Sequence, residues 1–153
     1  ISIGYALAQQ MKNNSGNSYC IVGDGEMQEG QIWESILFAG VKKIKKLCVI
    51  VDNNKFQNEV SVNETLGEIP LEDKIKSFGW HYISVNGHSL NELLDAFETF
   101  KNNDFPTLID AHTIKGKGVD FMENNNSWHS KVLNEEDYRN AIVQCQREID
   151  DIN

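Results

Sequence analysis

Asp24, set between Gly23 and Gly25, and the pair Asn53-Asn54 are the residues of this chain best suited to hold a cation. A carboxylate oxygen and a carboxamide oxygen are hard donors of the kind that Mg²⁺ and Ca²⁺ accept, and phosphate oxygens complete such a shell. Glycine on each side of the Asp permits a tight turn and a close approach of phosphate to the backbone. The amides of residues 26–28 open a predicted helix and would point at the same anion.

For these groups to meet, the chain must deliver residues 24 and 54 to one edge. Tyr19-Cys20-Ile21-Val22 and residues 47–52 are apolar runs of strand length, and residues 27–40 between them read as a helix. This predicts a βαβ unit, whose right-handed crossover returns the chain to a parallel strand. The strands lie about 5 Å apart if they are neighbours, or about twice that with one strand between them. Either way Asp24 and Asn54 emerge at the strands' C-terminal ends, where open α/β sheets bind ligands.

The remaining chain alternates helix and strand. A first helix over 3–12 carries Ile3, Leu7 and Met11 on one stripe, and Lys42-Lys43-Ile44-Lys45-Lys46 reads as a solvated connector. Residues 53–70 lack periodicity and predict a long loop over the site. Pro70 starts a short helix through Phe78, and 81–85 is a third strand. Leu90, Leu93, Leu94, Phe97 and Phe100 have helical spacing. Residues 107–111 form a fourth strand, and 115–131 a polar loop. Asn134, helped by Asp137, caps a last helix with Tyr138, Ala141, Ile142, Cys145 and Ile149 facing inward. The predicted fold class is α/β, a parallel sheet covered by helices on both faces. Trp33, Trp80 and Trp128 are read as packing residues.

At 153 residues and 40% apolar content the chain suits one domain with a real core. The formal charge of −9 argues against nucleic acid as a partner. It also means that a bound pyrophosphate needs local positive charge from a divalent cation, helix amides, Lys115 and Lys117. No apolar run reaches the roughly 18 residues of a membrane span, and no charged-then-apolar signal is visible. A cytoplasmic protein without a membrane partner is expected. Cys20, Cys48 and Cys145 are odd in number and fall on apolar faces, which predicts reduced, buried thiols.

The stretch from Gly23-Asp24-Gly25-Glu26-Met27-Gln28-Glu29-Gly30 to Asn54 resembles the thiamine diphosphate motif, and within that superfamily the amino-terminal half of the transketolases. Ile1-Ser2-Ile3-Gly4 with Ala6-Leu7-Ala8, Thr113-Ile114-Lys115-Gly116-Lys117-Gly118-Val119, and Phe121-Met122-Glu123-Asn124 with Trp128-His129 extend the resemblance, in order, over nearly the whole chain. The resemblance implies Mg²⁺ (or Ca²⁺) held by the side chains of Asp24 and Asn54 and the backbone carbonyl of Phe56. It places Gly23, Gly25, Glu26 and Lys115 at the cofactor diphosphate, and His129 at both diphosphate and donor substrate. Glu29 and Glu34 match a carboxylate network across a dimer interface, which would titrate as a group. His112 is a candidate for the lining of the site, and His88 is read as a turn residue.

What the resemblance implies about function is transfer of a two-carbon ketol unit from a ketose to an aldose, with sugar phosphates as substrates. In that family the glutamate that activates the aminopyrimidine comes from a second domain. The chain alone is therefore expected to be inactive and to need a pyrimidine-binding subunit or domain, in a homo- or hetero-oligomer with two-fold symmetry. The opening helix sits mid-domain in the family, so residues 1–153 would be the carboxy-terminal portion of the diphosphate-binding domain, with about a hundred residues upstream. Gln57-Asn58-Glu59-Val60 departs from the family's Asp-Gly step. Two alternatives remain: another thiamine diphosphate enzyme (2-oxo acid dehydrogenase type or deoxyxylulose phosphate synthase), echoed by Gln31-Ile32-Trp33-Glu34, and a non-catalytic cofactor-binding module. Glu29-Gly30 and Trp128-His129 favour transketolase.

Overall fold

The computed structural model describes residues 1–57, 60–67 and 69–152, without the side chains of Glu148, Asp151 and Ile152. Helix α1 (Ser2–Met11) leads into β1 (Ser18–Gly23), then a 3₁₀ turn (Glu26–Gln28), α2 (Gly30–Val41) and β2 (Leu47–Asn53). A small hairpin, β3 (Phe56–Gln57) and β4 (Val60–Ser61), precedes α3 (Val62–Thr65) and α4 (Leu71–Ser77). Next come β5 (His81–Asn86), α5 (Leu90–Lys101), β6 (Thr107–His112), a 3₁₀ turn (Asn126–Trp128) and α6 (Glu135–Ile152).

The main sheet has the order β1-β2-β6-β5 and is parallel throughout. Strands β1 and β2 are therefore neighbours, with Gly23 opposite Asp52, which resolves the open point in their spacing. Side chains alternate along each strand. Val22, Leu47, Val49, Val51 and Leu108 face a core built with α1, α2 and α4. Cys48, Val85, Ile109 and Ala111 face α5 through Ala96 and Phe100. Helices thus cover both faces, the second through α5, and Ile21 on edge strand β1 is 73% exposed. Tyr19 beside it packs edge-on against Phe97 and Phe100 at centroid distances of 5.8 and 5.4 Å.

Three expectations are corrected. The helix expected over 27–40 begins only at Gly30, because Glu29 is extended (φ −81°, ψ 131°). The Met27 carbonyl accepts from the Trp33 indole at 2.7 Å instead of serving a helical amide. The loop expected over 53–70 holds the β3–β4 hairpin and α3, which starts on a capping box between Ser61 and Glu64. The Asn134 cap forms, its Oδ1 accepting from the Asp137 N–H at 2.8 Å. Of the residues expected to face inward on α6, however, only Ala141 is buried, and Tyr138, Ile142, Cys145 and Ile149 are exposed. Met11, Leu90 and Leu94 are exposed as well. Each lies on a helical stripe broader than the part of the sheet it covers.

Cys48 is buried, Cys20 half-buried and Cys145 exposed, all as free thiols. Burial pushes the Cys48 thiol up to about 12, so it stays protonated. Trp33 and Trp80 pack as expected, the Trp80 indole donating to the Ile36 carbonyl at 2.8 Å. Among the described residues no helix is long and apolar enough to cross a membrane.

Candidate cofactor site

The site starts from the ends of two adjacent strands. β1 ends at Gly23 and β2 at Asn53, so Asp24 and Asn54 leave the sheet side by side, and the Asp24 N–H still donates to the Asp52 carbonyl at 3.2 Å. Asp24 is 8% exposed. Its Oδ2 accepts from the Lys55 N–H, whereas Oδ1 is buried and has no hydrogen-bond partner. Lys55 reaches that position with φ 70°, in the left-handed region that side chains seldom occupy. Burial raises the Asp24 pKa above the usual carboxylate range and outweighs the amides of Lys55 and Gly25; the nearby Asp52 charge adds to the rise.

Asn54 folds its carboxamide over the same turn. Its Oδ1 accepts from the Phe56 N–H at 3.0 Å, and its Nδ2 donates to Asp52 Oδ2 at 3.1 Å. The three expected metal ligands, Asp24, Asn54 and Phe56, are thereby gathered around the single turn 54–56. A buried, unpartnered carboxylate oxygen at a turn that also carries a carboxamide fits a hard divalent cation. Among the described residues no group of three or more His, Cys, Asp and Glu is placed to hold a metal ion. Asp24 also lines a cavity of about 30 Å³ with Met27, Asn53 and Val62, room for about one water.

The glycines behave unequally. Gly25 lies under Gln57, whose Cβ would stand 2.4 Å from a Cβ at position 25, so the hairpin can close over the turn only on glycine. Gln57 Nε2 then donates to Gln28 Oε1 at 3.0 Å. The Gly23 N–H donates to Glu26 Oε2 at 2.7 Å. Glu26 thus folds back onto the turn that precedes it, and its amide begins a three-residue 3₁₀ turn rather than a long helix.

Lys115 and His129, fourteen positions apart, are brought together by the loop after β6, with Lys115 Nζ 3.3 Å from His129 Nδ1. The loop is pinned at several points. Asn124 N–H donates to the Lys115 carbonyl at 2.9 Å, and Glu123 accepts from the Gly118 N–H and Lys117 Nζ at 3.1 Å each. These two bonds hold the half-buried Glu123 carboxyl below its usual range. His88 is more than a turn residue, since its Nε2 accepts the Ile114 N–H at 2.7 Å. His112 lies within the strands' own polar network, 3.0 Å from Ser84 Oγ and 3.7 Å from Asp110 Oδ2.

Glu29 and Glu34 are exposed and lie outside this turn. Glu29 is the N-cap of α2 and accepts from Gln31 Nε2. Glu34 shares one helical stripe with the exposed Leu37, Phe38 and Val41.

Four polar groups, Asp52, Thr113, Asp110 and Tyr82, were missed by sequence reasoning. Asp52 accepts from Asn54 and, through its other oxygen, from the Thr113 hydroxyl. Buried Asp110 accepts from Asn53 Nδ2 at 2.8 Å and from the Tyr82 hydroxyl at 2.7 Å, and burial together with that carboxylate pushes the Tyr82 pKa up. The available signal was strand alternation, which puts Asn53, Asp110 and Tyr82 on one face and Asp52 and Thr113 on the other.

Residues 6–146 match the family described as "Transketolase, thiamine diphosphate binding domain". The chain belongs to the transketolase family. It is 40% identical to the 6-deoxy-6-sulfo-D-fructose transketolase subunit SqwG of Clostridium sp. (strain MSTE9), covering 96% of this chain and 54% of that one. It is 32% identical to one of the subunits of the apulose-4-phosphate transketolase of Phocaeicola vulgatus, over 98% of this chain and 54% of the relative. The chain spans about half the length of these curated relatives. Transketolase from Campylobacter jejuni superposes with a TM-score of 0.88 at 29% identity, over 95% of this chain and 24% of that one. The transketolase relatives agree with the α/β parallel sheet and with thiamine diphosphate as the family's cofactor.

Proposed function

We propose that this chain is the diphosphate-binding part of a thiamine diphosphate-dependent transketolase that moves a two-carbon ketol unit from a ketose to an aldose. The observation that carries the reading is the buried, unpartnered Oδ1 of Asp24, whose other oxygen is tied to the turn after Asn54, at the ligand-binding edge of a parallel sheet.

Asp24, Asn54 and the Phe56 carbonyl would hold Mg²⁺, with Ca²⁺ as the other hard cation of suitable chemistry. Lys115 and His129 would face the diphosphate, and His129 would also reach the donor sugar. When bound, thiamine diphosphate supplies a nucleophilic carbon on its thiazolium ring. The work of this chain is to neutralise and orient the pyrophosphate tail. Lys115 contributes a compact cation and His129 a proton carrier whose ring is already positioned at Nδ1.

The partner in this reading is a pyrimidine-binding subunit or domain in an assembly with two-fold symmetry. Two of the relatives are named as subunits of transketolases, and the Glu34 stripe with Leu37, Phe38 and Val41 is a surface of the right chemistry for it. Glu29 and Glu34 would then become buried and share protons. The relatives' names include a sulfonated and a phosphorylated ketose, so the substrates are read as sugars with an anionic tail, the phosphates of the pentose phosphate type among them. The cytoplasm, where free thiols such as Cys20, Cys48 and Cys145 stay reduced, is the proposed location.

The test is a two-carbon transfer assay of the intact protein with its partner, run beside a pyruvate decarboxylation assay. Ketol transfer that needs both Mg²⁺ and thiamine diphosphate supports the reading. Decarboxylation without transfer would assign a different enzyme of the superfamily, and neither activity with intact cofactor binding would leave a binding module.

A further inference from the structure

The side chain of Asp52 lies outside the expected ligand set, yet its two oxygens serve two different loops. Oδ2 accepts from Asn54 Nδ2 at 3.1 Å, and Oδ1 accepts from the Thr113 hydroxyl. A carboxamide offers a donor at one end and an acceptor at the other. With its nitrogen bonded to Asp52, the Asn54 group must turn its oxygen toward the turn 54–56, where it already accepts from Phe56. A cation requires that oxygen and is repelled by the amide nitrogen.

Thr113 is seated with equal definition. It follows β6 directly, and its N–H donates to the Asn53 carbonyl at 3.2 Å. Its methyl fills the space left by Gly87: a Cβ built there would stand 2.5 Å from Thr113 Cγ2. Two residues later the same segment reaches Lys115, which in turn meets His129. Gly87 opens the place for Thr113, and the Thr113 hydroxyl reaches Asp52.

We infer that Asp52 is a positioning residue, a carboxylate strut that fixes the orientation of the Asn54 carboxamide and locks the turn 54–56 to the loop bearing Lys115 and His129. The inference rests on the proposed metal site and deepens it. Asp52 acts through Asn54 and Thr113 and needs no contact with cofactor or substrate. Outer partners of metal ligands typically alter affinity by about 10- to 100-fold.

Titration calorimetry of thiamine diphosphate in the presence of Mg²⁺, on the intact protein with its partner, tests this. The variants are Thr113→Val, Thr113→Ser, Asp52→Ala and the double Asp52→Ala/Thr113→Val, with the thermal midpoint of each cofactor-free form. Thr113→Val keeps the methyl in the Gly87 recess and loses only the hydroxyl donor. It should weaken binding about tenfold with little change in midpoint, and Thr113→Ser should restore the affinity. The double variant should bind no worse than Asp52→Ala, because Thr113 acts only through Asp52. Undiminished binding by Thr113→Val, or additive losses in the double variant, overturns the inference. Should Asp52→Ala fail to fold, the comparison of Val with Ser at position 113 decides alone. Asp24→Ala serves as the control: if it binds as wild type does, the metal site itself is wrong and the inference falls with it. If it abolishes binding while Thr113→Val binds normally, only the role of Asp52 is lost.

Discussion

The backbone N–H of Lys55 donates to the carboxylate of Asp24 and ties together the ends of two parallel strands that are neighbours in the sheet. One carboxylate oxygen is thereby used and the other left buried and unpaired. Desolvating a carboxylate without full compensation destabilises the fold, and such groups persist where a ligand completes them.

Asp24→Asn should therefore stabilise the cofactor-free protein by about 1 kcal/mol while abolishing Mg²⁺-dependent thiamine diphosphate binding. The neutral amide avoids the cost of a buried charge and still accepts from Lys55. The sign with pH follows. Asp24 titrates above its unfolded value of 3.8, so its penalty is present at neutral pH. The penalty fades as pH falls through the raised pKa, and the variant's advantage should shrink with it. Chemical denaturation of both proteins at pH 7 and near pH 4 measures the difference.

Gly25→Ala places a methyl where Gln57 packs and must displace the β3–β4 hairpin. Since Phe56 begins that hairpin, thiamine diphosphate affinity should fall by roughly tenfold or more. The sheet core, built elsewhere, should lose less than about 2 kcal/mol. Calorimetric binding and urea melts separate the two effects.

Lys115 and His129 should divide by kinetics. Lys115→Met removes a charge proposed to face the diphosphate and should raise the cofactor's dissociation constant about tenfold, less so at high salt. His129→Ala should lower kcat/KM for ketol transfer by roughly 100-fold, the range of an acid–base contribution. Steady-state kinetics at saturating cofactor tests the split.

Phe38→Glu on the stripe shared with Glu34 should prevent assembly without unfolding the chain, because Phe38 is 43% exposed in the isolated chain. Sedimentation velocity reads the loss of the larger species, and circular dichroism the retained fold.

Much of this was legible in the residues. The apolar runs at 19–22 and 47–52, with a helix between them, predict a parallel crossover, and β1 and β2 pair in that way. The position of Asp24 and Asn54 at the ends of neighbouring strands was legible because strand ends are local properties of the residue pattern. The helix start was misplaced because Met27 is apolar enough to extend the periodic pattern, while the Trp33 indole takes its carbonyl and breaks the helical run. Asp52 and Thr113 were hidden for another reason. Their meeting depends on β6 lying beside β2, a strand order that sequence spacing leaves open. The exposed face of α6 was misread as core since an apolar stripe reports only that something covers it, not that this chain does.

Diffraction from crystals of the intact protein grown with thiamine diphosphate and Mn²⁺ would test the central claim most directly. The account predicts one anomalous peak per site, about 2.2 Å from Asp24 Oδ1, Asn54 Oδ1 and the Phe56 carbonyl, the distance expected for a hard cation of this size. A peak coordinated by other residues, or a diphosphate bound away from the turn 54–56, would contradict it.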